Sequence, residues 1–181
     1  MQPVVQYPAE LLLKAQGIRV AFFDVDGVLT DGGLYFSADG DSIKRFHVLD
    51  GYGIGLLRIV GIVPVVITGR DSPAVRVRLQ ALGIDEVHCG VTDKAKVAQT
   101  RLTALQFGWS QCAVIGDDWP DLPLIRRCRL SAAPPGAHAE VLAAVDVVTR
   151  RNGGQGAARD FCDLLLMGSG RYAQCLQDAD T

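Results

Sequence analysis

Short apolar runs rich in β-branched residues recur along the chain, each followed by a longer stretch in which apolar side chains return every three or four positions. The runs lie at 18–24 (IRVAFFD), 63–69 (VPVVITG), 86–90 (EVHCG), 112–118 (CAVIGDD), 129–134 (RLSAAP) and 146–149 (DVVT), and they read as strands. Helical periodicity occupies 50–61, 72–83, 93–108, 121–128, 137–145 and 156–168. Ser72 followed by Pro73 makes an N-cap and a first helical residue, and Gly83 and Gly108 stand where helices would end. Strand and helix alternating in this way predicts an α/β protein with a doubly wound, mostly parallel sheet. Residues 31–51 break the rhythm. There "GLYFS" and "SIKRFHV" flank the turn signal "ADGD" at 38–41, which predicts a small β-hairpin inserted after the first strand, too small to be a helical lid. The glycine-rich "RRNGGQGAARD" (150–160) predicts a mobile segment ahead of the last helix, and the tail from Gly170 is expected to fray.

Composition narrows the possibilities. A chain of 181 residues, 49% hydrophobic and 21% charged, can bury a full core and reads as one domain over 1–181. A net charge of −2 gives no bulk attraction to nucleic acid or to an anionic membrane, so an anionic ligand must be held by a few placed groups. Cys89, Cys112, Cys128, Cys162 and Cys175 are scattered without a C-x-x-C pair, which argues against a disulfide framework or a zinc site and for reduced thiols in the cytoplasm. The N-terminus lacks a basic leader, and no window approaches the roughly 18 apolar residues of a spanning helix, so neither export nor membrane insertion is expected.

Ligands in an open parallel sheet bind outside the carboxyl ends of the strands, and the polar residues collect there. The first strand ends in Asp24-Val25-Asp26, the second in Thr68-Gly69-Arg70 and the fourth in Gly116-Asp117-Asp118, while Thr92, Asp93 and Lys94 follow the third. Asp24 and Asp26, two positions apart, leave an extended chain on one side, and Val25 leaves on the other. Two carboxylates so close repel unless one takes a proton or a divalent cation joins them; Asp117 completes an oxygen-only site suited to magnesium, with Gly27 letting the Asp26 carbonyl swing toward it. Each of these residues has an ordinary reading as well. Asp-x-Asp-Gly is frequent turn chemistry, Asp118 and Asp121 can be loop and cap residues, Thr68 a strand residue and Arg70 a surface one. Lys94 resists such a reading, because a lysine in the first turn of a helix faces the unfavourable end of its dipole. Taken together the groups suit phosphoryl transfer through a carboxylate: Asp24 as nucleophile, Asp26 as acid and base, and Thr68, Lys94 and magnesium holding the phosphoryl oxygens.

The motifs "DVDGVLTDG", "ITGR", Lys94 in "TDKAKV" and "GDDWPD" resemble, in order and spacing, those of the haloacid dehalogenase superfamily of phosphatases. Within it, the hairpin in place of a cap, "KRFHVLDGYGI" (44–54), "GDDWPDLPL" (116–124) and "GGQGAARDFCDLLL" (153–166) are similar to the 3-deoxy-D-manno-octulosonate 8-phosphate phosphatases of lipopolysaccharide sugar biosynthesis, over about Ile18 to Met167. That resemblance implies magnesium held by Asp24, the Asp26 carbonyl and Asp117, phosphate held by Thr68, Gly69 and Lys94, and Arg70 and Arg78 facing a phosphorylated sugar acid, with Asp118 and Asp121 in support. It also implies a homotetramer in which hairpins meet around an axis and each glycine-rich segment reaches a neighbour's site. Relatives acting on nine-carbon sialic-type acids tend to carry an acid at the position of Arg70, so arginine favours the eight-carbon substrate. Gln155 stands where the family has a basic residue, and 131–141 lacks the family's acid and the proline after His138. The role of this loop is left open, and His47, His88 and His138 read as structural or surface residues. Two other readings remain: a phosphatase for another sugar acid, such as a sialic-type 9-phosphate, and a receiver-like phospho-acceptor switch. The switch is disfavoured because Asp26 follows Asp24 on the same strand, as turnover requires.

Overall fold

A computed structural model describes residues 3–38 and 40–179. The chain opens with α1 (Ala9–Ala15) and enters the sheet at β1 (Val20–Phe23). A hairpin of β2 (Tyr35–Ser37) and β3 (Gly40–Ile43) precedes α2 (Val48–Ile59), β4 (Val63–Ile67), α3 (Pro73–Ala81), β5 (Val87–His88) and α4 (Lys94–Leu105). Then come β6 (Cys112–Ile115), a short α5 (Leu122–Ile125), β7 (Leu130–Ala133), α6 (Ala139–Leu142), β8 (Val147–Val148), α7 (Ala157–Gly168) and α8 (Tyr172–Asp178). Strand order is β5-β4-β1-β6-β7-β8, and every neighbouring pair is parallel. The direction of winding reverses at β1, which lies between β4 and β6; a doubly wound sheet opens its ligand crevice beyond the carboxyl ends of such strands.

β1 is buried on both faces, which is why it reads as an unbroken apolar run. Its side chains alternate between two cores. Phe23 joins Ile54, Leu57 and Phe161 beneath α2 and α7, while Phe22 joins Leu102, Val114 and Leu124 on the opposite face. Phe23 and Phe161 meet edge to face at 5.5 Å, fixing α7 across the strand that carries the chemistry.

The hairpin forms where expected, antiparallel with a register shift between Tyr35 and Phe36; Asp39 of the turn signal lies outside the described residues. Elsewhere the ends of elements differ from expectation. The helix begun at Lys94 stops in a left-handed Gln106 (φ 60°), two residues before Gly108, because the Gln106 N–H satisfies the last carbonyls itself. Two short helices were not anticipated: α1, and α8 in the stretch expected to fray. α1 docks through Ala15 against Gly168, where a side chain would leave no room.

Candidate active site

Asp24, Asp26, Thr68, Gly69, Arg70, Lys94, Asp117, Asp118 and Asp121 all line one crevice of about 490 Å³ at the carboxyl ends of β1, β4 and β6. Val25, between the first two, is fully buried in the core, as alternation requires. The Lys94 ammonium lies 2.6 Å from Asp24 Oδ1 and 2.7 Å from Asp121 Oδ1, all three groups being buried. Lys94 is the first residue of α4, and Asp93 supplies the N-cap by accepting from Lys96 N at 3.0 Å. The unfavourable place of an ammonium at a helix start is thus offset by two carboxylates. Burial pulls the Lys94 pKa down, yet Asp24 and Asp121 together outweigh it and hold it above its usual value.

On the carboxylates burial acts with the opposite sign, and their pKa values rise as well. Burial first, then the Asp121 charge, push Asp24 up to about 6 against the pull of Lys94. Burial, then Asp24 and Asp121, push Asp117 up to about 8. Asp24, Asp117 and Asp121 each offer an oxygen within 4.8 Å of the others. Three acids sharing one ammonium carry an excess of negative charge that a hard divalent cation would neutralise, and the all-oxygen donor set suits magnesium. Asp121 therefore belongs to this cluster and is not a cap of α5. Its carboxylate accepts from the N–H groups of Asp117 (3.2 Å) and Asp118 (3.4 Å), the second closing the turn at 119–121, and makes no cap bond to α5. Asp118 is the capping residue here, accepting from Trp119 N at 2.8 Å.

Asp26 has separate surroundings. Its Oδ1 accepts from Lys44 Nζ at 2.6 Å, and Thr30 Oγ1 lies 3.5 Å away; its Oδ2 is 3.6 Å from Arg70 Nε. The turn after Asp26 is closed by Gly27 at φ +89° and by the Leu29 and Thr30 N–H groups, both donating to Val25 O. Thr68 is buried, its hydroxyl accepting from Arg70 N at 3.4 Å.

Two expectations need correcting. Arg78 does not line the crevice. It sits five residues into α3, about 7–8 Å along the axis from the helix start at the crevice end, and its guanidinium faces α2, where the absence of a side chain on Gly51 makes room for it. It lines a groove of about 750 Å³ with Val48, Tyr52, Leu56 and Ile59. The glycine-rich segment, expected to be mobile, is instead packed: Gly153, Gly154 and Gly156 are buried against their own chain. Gly154 N donates to Val28 O at 2.9 Å, and a Cβ on Gly153 would stand 2.5 Å from the Gly27 carbonyl carbon. Missing side chains let two backbones touch, and the segment packs directly on the turn that follows Asp26.

Sequence reasoning also passed over two residues near the site. Lys44 was hidden in the hairpin's alternation, where a lysine reads as a solvated position. His138, in the loop whose role was left open, donates its N–H to Asp117 O (2.9 Å), while its Nδ1 accepts from Trp119 Nε1 (3.0 Å) and Glu140 N (3.2 Å). One residue thus caps α6 and grips both ends of 117–119. A polar residue at the start of the expected helix 137–145 was the available signal, weakened because histidine is not a common cap.

No protein-family model matches the chain. It is 39% identical over 163 residues to the 3-deoxy-D-manno-octulosonate 8-phosphate phosphatase KdsC of Escherichia coli, covering 90% of this chain and 87% of that one. The crystal structure of the Moraxella catarrhalis 3-deoxy-D-manno-octulosonate 8-phosphate phosphatase, in complex with magnesium ion, phosphate ion and a KDO molecule, superposes with a TM-score of 0.91 at 34% identity, over 95% of this chain and 99% of that one. A Legionella pneumophila structure assigned to the HAD superfamily, subfamily III A, matches with a TM-score of 0.89 at 40% identity, over 93% and 92% of the two chains.

Proposed function

The chain belongs to the 3-deoxy-D-manno-octulosonate 8-phosphate phosphatases of the haloacid dehalogenase superfamily, and from that membership we propose how its residues divide the work. The protein is a magnesium-dependent phosphomonoesterase that releases inorganic phosphate from the eight-carbon sugar acid phosphate. A phospho-acceptor switch is thereby set aside, and so is the nine-carbon substrate. The observation that carries the assignment of roles is the Lys94-bridged carboxylate cluster opposite Asp26 in a single crevice.

Asp24 attacks phosphorus in line; the bond to its oxygen forms as the bond to the sugar oxygen breaks, and Asp26 delivers a proton to that leaving oxygen. Asp26 then takes a proton from water as water attacks the phosphorus, restoring the Asp24 carboxylate and freeing phosphate. Lys94 holds Asp24 in place through the 2.6 Å contact, and with the Thr68 hydroxyl it faces the phosphoryl oxygens. Asp24, the Asp26 carbonyl and Asp117 would hold magnesium, with Asp121 fixing the Lys94 ammonium beside Asp24 and accepting from the Asp117 N–H. Bound there, magnesium supplies neutralising charge for the clustered carboxylates and the phosphoryl group. Gly69 lets phosphate approach the backbone, and Arg70, half exposed at the rim, meets the sugar carboxylate.

Assembly into a homotetramer is supported by the hairpin, where Tyr35, Phe36 and Ile43 are 54%, 64% and 62% exposed on a sheet of only two strands. All five cysteines are free, which supports a reducing compartment, the cytoplasm. No helix among the described residues is long and apolar enough to cross a membrane.

Phosphate release from a panel of phosphorylated sugar acids tests this reading. Asp24→Asn should abolish turnover on every member, and Arg70→Glu should lower kcat/KM on the eight-carbon substrate selectively. Full turnover by Asp24→Asn overturns the nucleophile; an equal effect of Arg70→Glu on all substrates overturns the role of Arg70.

A further inference from the structure

The hairpin sends one side chain into the active site. Lys44 directly follows β3, and its side chain is completely buried, although its neighbour Ile43 is largely exposed. Its ammonium contacts Asp26 Oδ1 at 2.6 Å, whereas Asp26 itself keeps 22% of its side chain exposed. A buried ammonium on a half-open carboxylate is costly to desolvate and is tolerated only where the pair is well fixed. The two oxygens of Asp26 are thereby made unlike. Oδ1 is tied inward to Lys44, with Thr30 Oγ1 3.5 Å away, while Oδ2 lies on the side of Arg70, a residue of the crevice wall.

We propose that Lys44 is a positioning residue for proton transfer: by holding Oδ1 it fixes the Asp26 carboxyl group so that Oδ2 meets the leaving oxygen and later the attacking water. The Lys44 side chain has no exposed surface and so does not touch substrate; it acts through Asp26. The arrangement also joins the apolar hairpin to the acid/base, so that whatever holds the hairpin holds the proton donor. This inference rests on the reading of Asp26 as the acid and base.

The test compares kcat/KM, which stops at transfer of phosphate to Asp24, for the sugar acid phosphate and for p-nitrophenyl phosphate. An alkoxide needs a proton to leave and p-nitrophenolate does not, so loss of a positioned acid should affect the two unequally. Lys44→Met should lose about 30- to 100-fold on the sugar phosphate and less than about 5-fold on the aryl phosphate, within the range that a positioned acid supplies. Lys44→Gln, which keeps a shorter donor, should fall between the two and serves if the methionine variant does not fold. In an Asp26→Asn background neither substitution should lower the rate further. Equal losses on both substrates, or an undiminished loss on top of Asp26→Asn, would assign Lys44 a purely structural role and overturn the proposal. Wild-type turnover by Asp26→Asn alone would instead overturn the acid/base reading beneath it.

Discussion

Replacing Gly153 by alanine tests whether the glycine-rich segment is part of the catalytic framework. A Cβ at this position would lie 2.5 Å from the Gly27 carbonyl carbon and 2.9 Å from Thr30 O, with the Gly27 oxygen nearer still. All three are backbone atoms, so no side chain can swing aside, and the segments must part by roughly 1.5 Å to restore ordinary contact. Neither side yields easily. The turn is closed by the Leu29 and Thr30 bonds to Val25 O and by the buried Val28 and Leu29, while the segment runs directly into α7, whose Arg159 N–H donates to the buried Asp50 at 2.8 Å. Overpacking of this kind costs about 1–3 kcal/mol, which for a domain of this size lowers Tm by roughly 3–10 °C. The displaced turn begins at the residue after Asp26, and a shift near 1 Å at a reacting group is worth about 100-fold in rate. Gly153→Ala should therefore melt earlier in a thermal scan and lose about 10- to 100-fold in kcat/KM, whereas Gly136→Ala, whose added Cβ would meet nothing within 4 Å, should do neither. If Gly153→Ala keeps both the wild-type Tm and wild-type turnover, the packing of this segment on the turn is refuted.

Three further outcomes follow from the same geometry. Asp24 and Asp117 are raised from 3.8 to about 6 and about 8, so without metal the folded chain binds protons more tightly than the unfolded chain; Tm should fall as pH rises through 6 and 8, and added magnesium should raise Tm more at pH 8.5 than at pH 5.5 in the same scan. A pH-independent effect of magnesium would refute the site. His138→Ala removes the acceptor that holds Trp119 at 3.0 Å and loosens the loop bearing Asp117; the magnesium concentration for half-maximal activity should rise about 10-fold with kcat at saturating metal little changed, and an unaltered requirement refutes the role. Phe36→Glu places a charge on an apolar hairpin surface, and sedimentation should report a smaller species than wild type; an unchanged mass removes the hairpin from the assembly contact.

What could be read from the sequence, and what could not, follows the distance over which each feature is determined. Asp24, Val25 and Asp26 were legible because strand alternation is local: the same rule that buries Val25 sends both acids to the crevice. Thr68, Lys94 and Asp117 were legible because the carboxyl ends of parallel strands converge whatever the details of packing. Arg78 was misplaced for the opposite reason. It was assigned by motif, yet a helix carries each successive residue away from the crevice end, and a glycine on α2 at position 51 offers its guanidinium a different place. The glycines after Asn152 signal a flexible linker when read along the chain, and only the turn at Gly27, far away in sequence, turns their missing side chains into a close contact. Lys44 is the sharpest instance. Its neighbours describe an exposed hairpin, and its burial is set by a carboxylate 18 residues earlier, so the residue that local patterning assigns to solvent is the one that the fold places against Asp26.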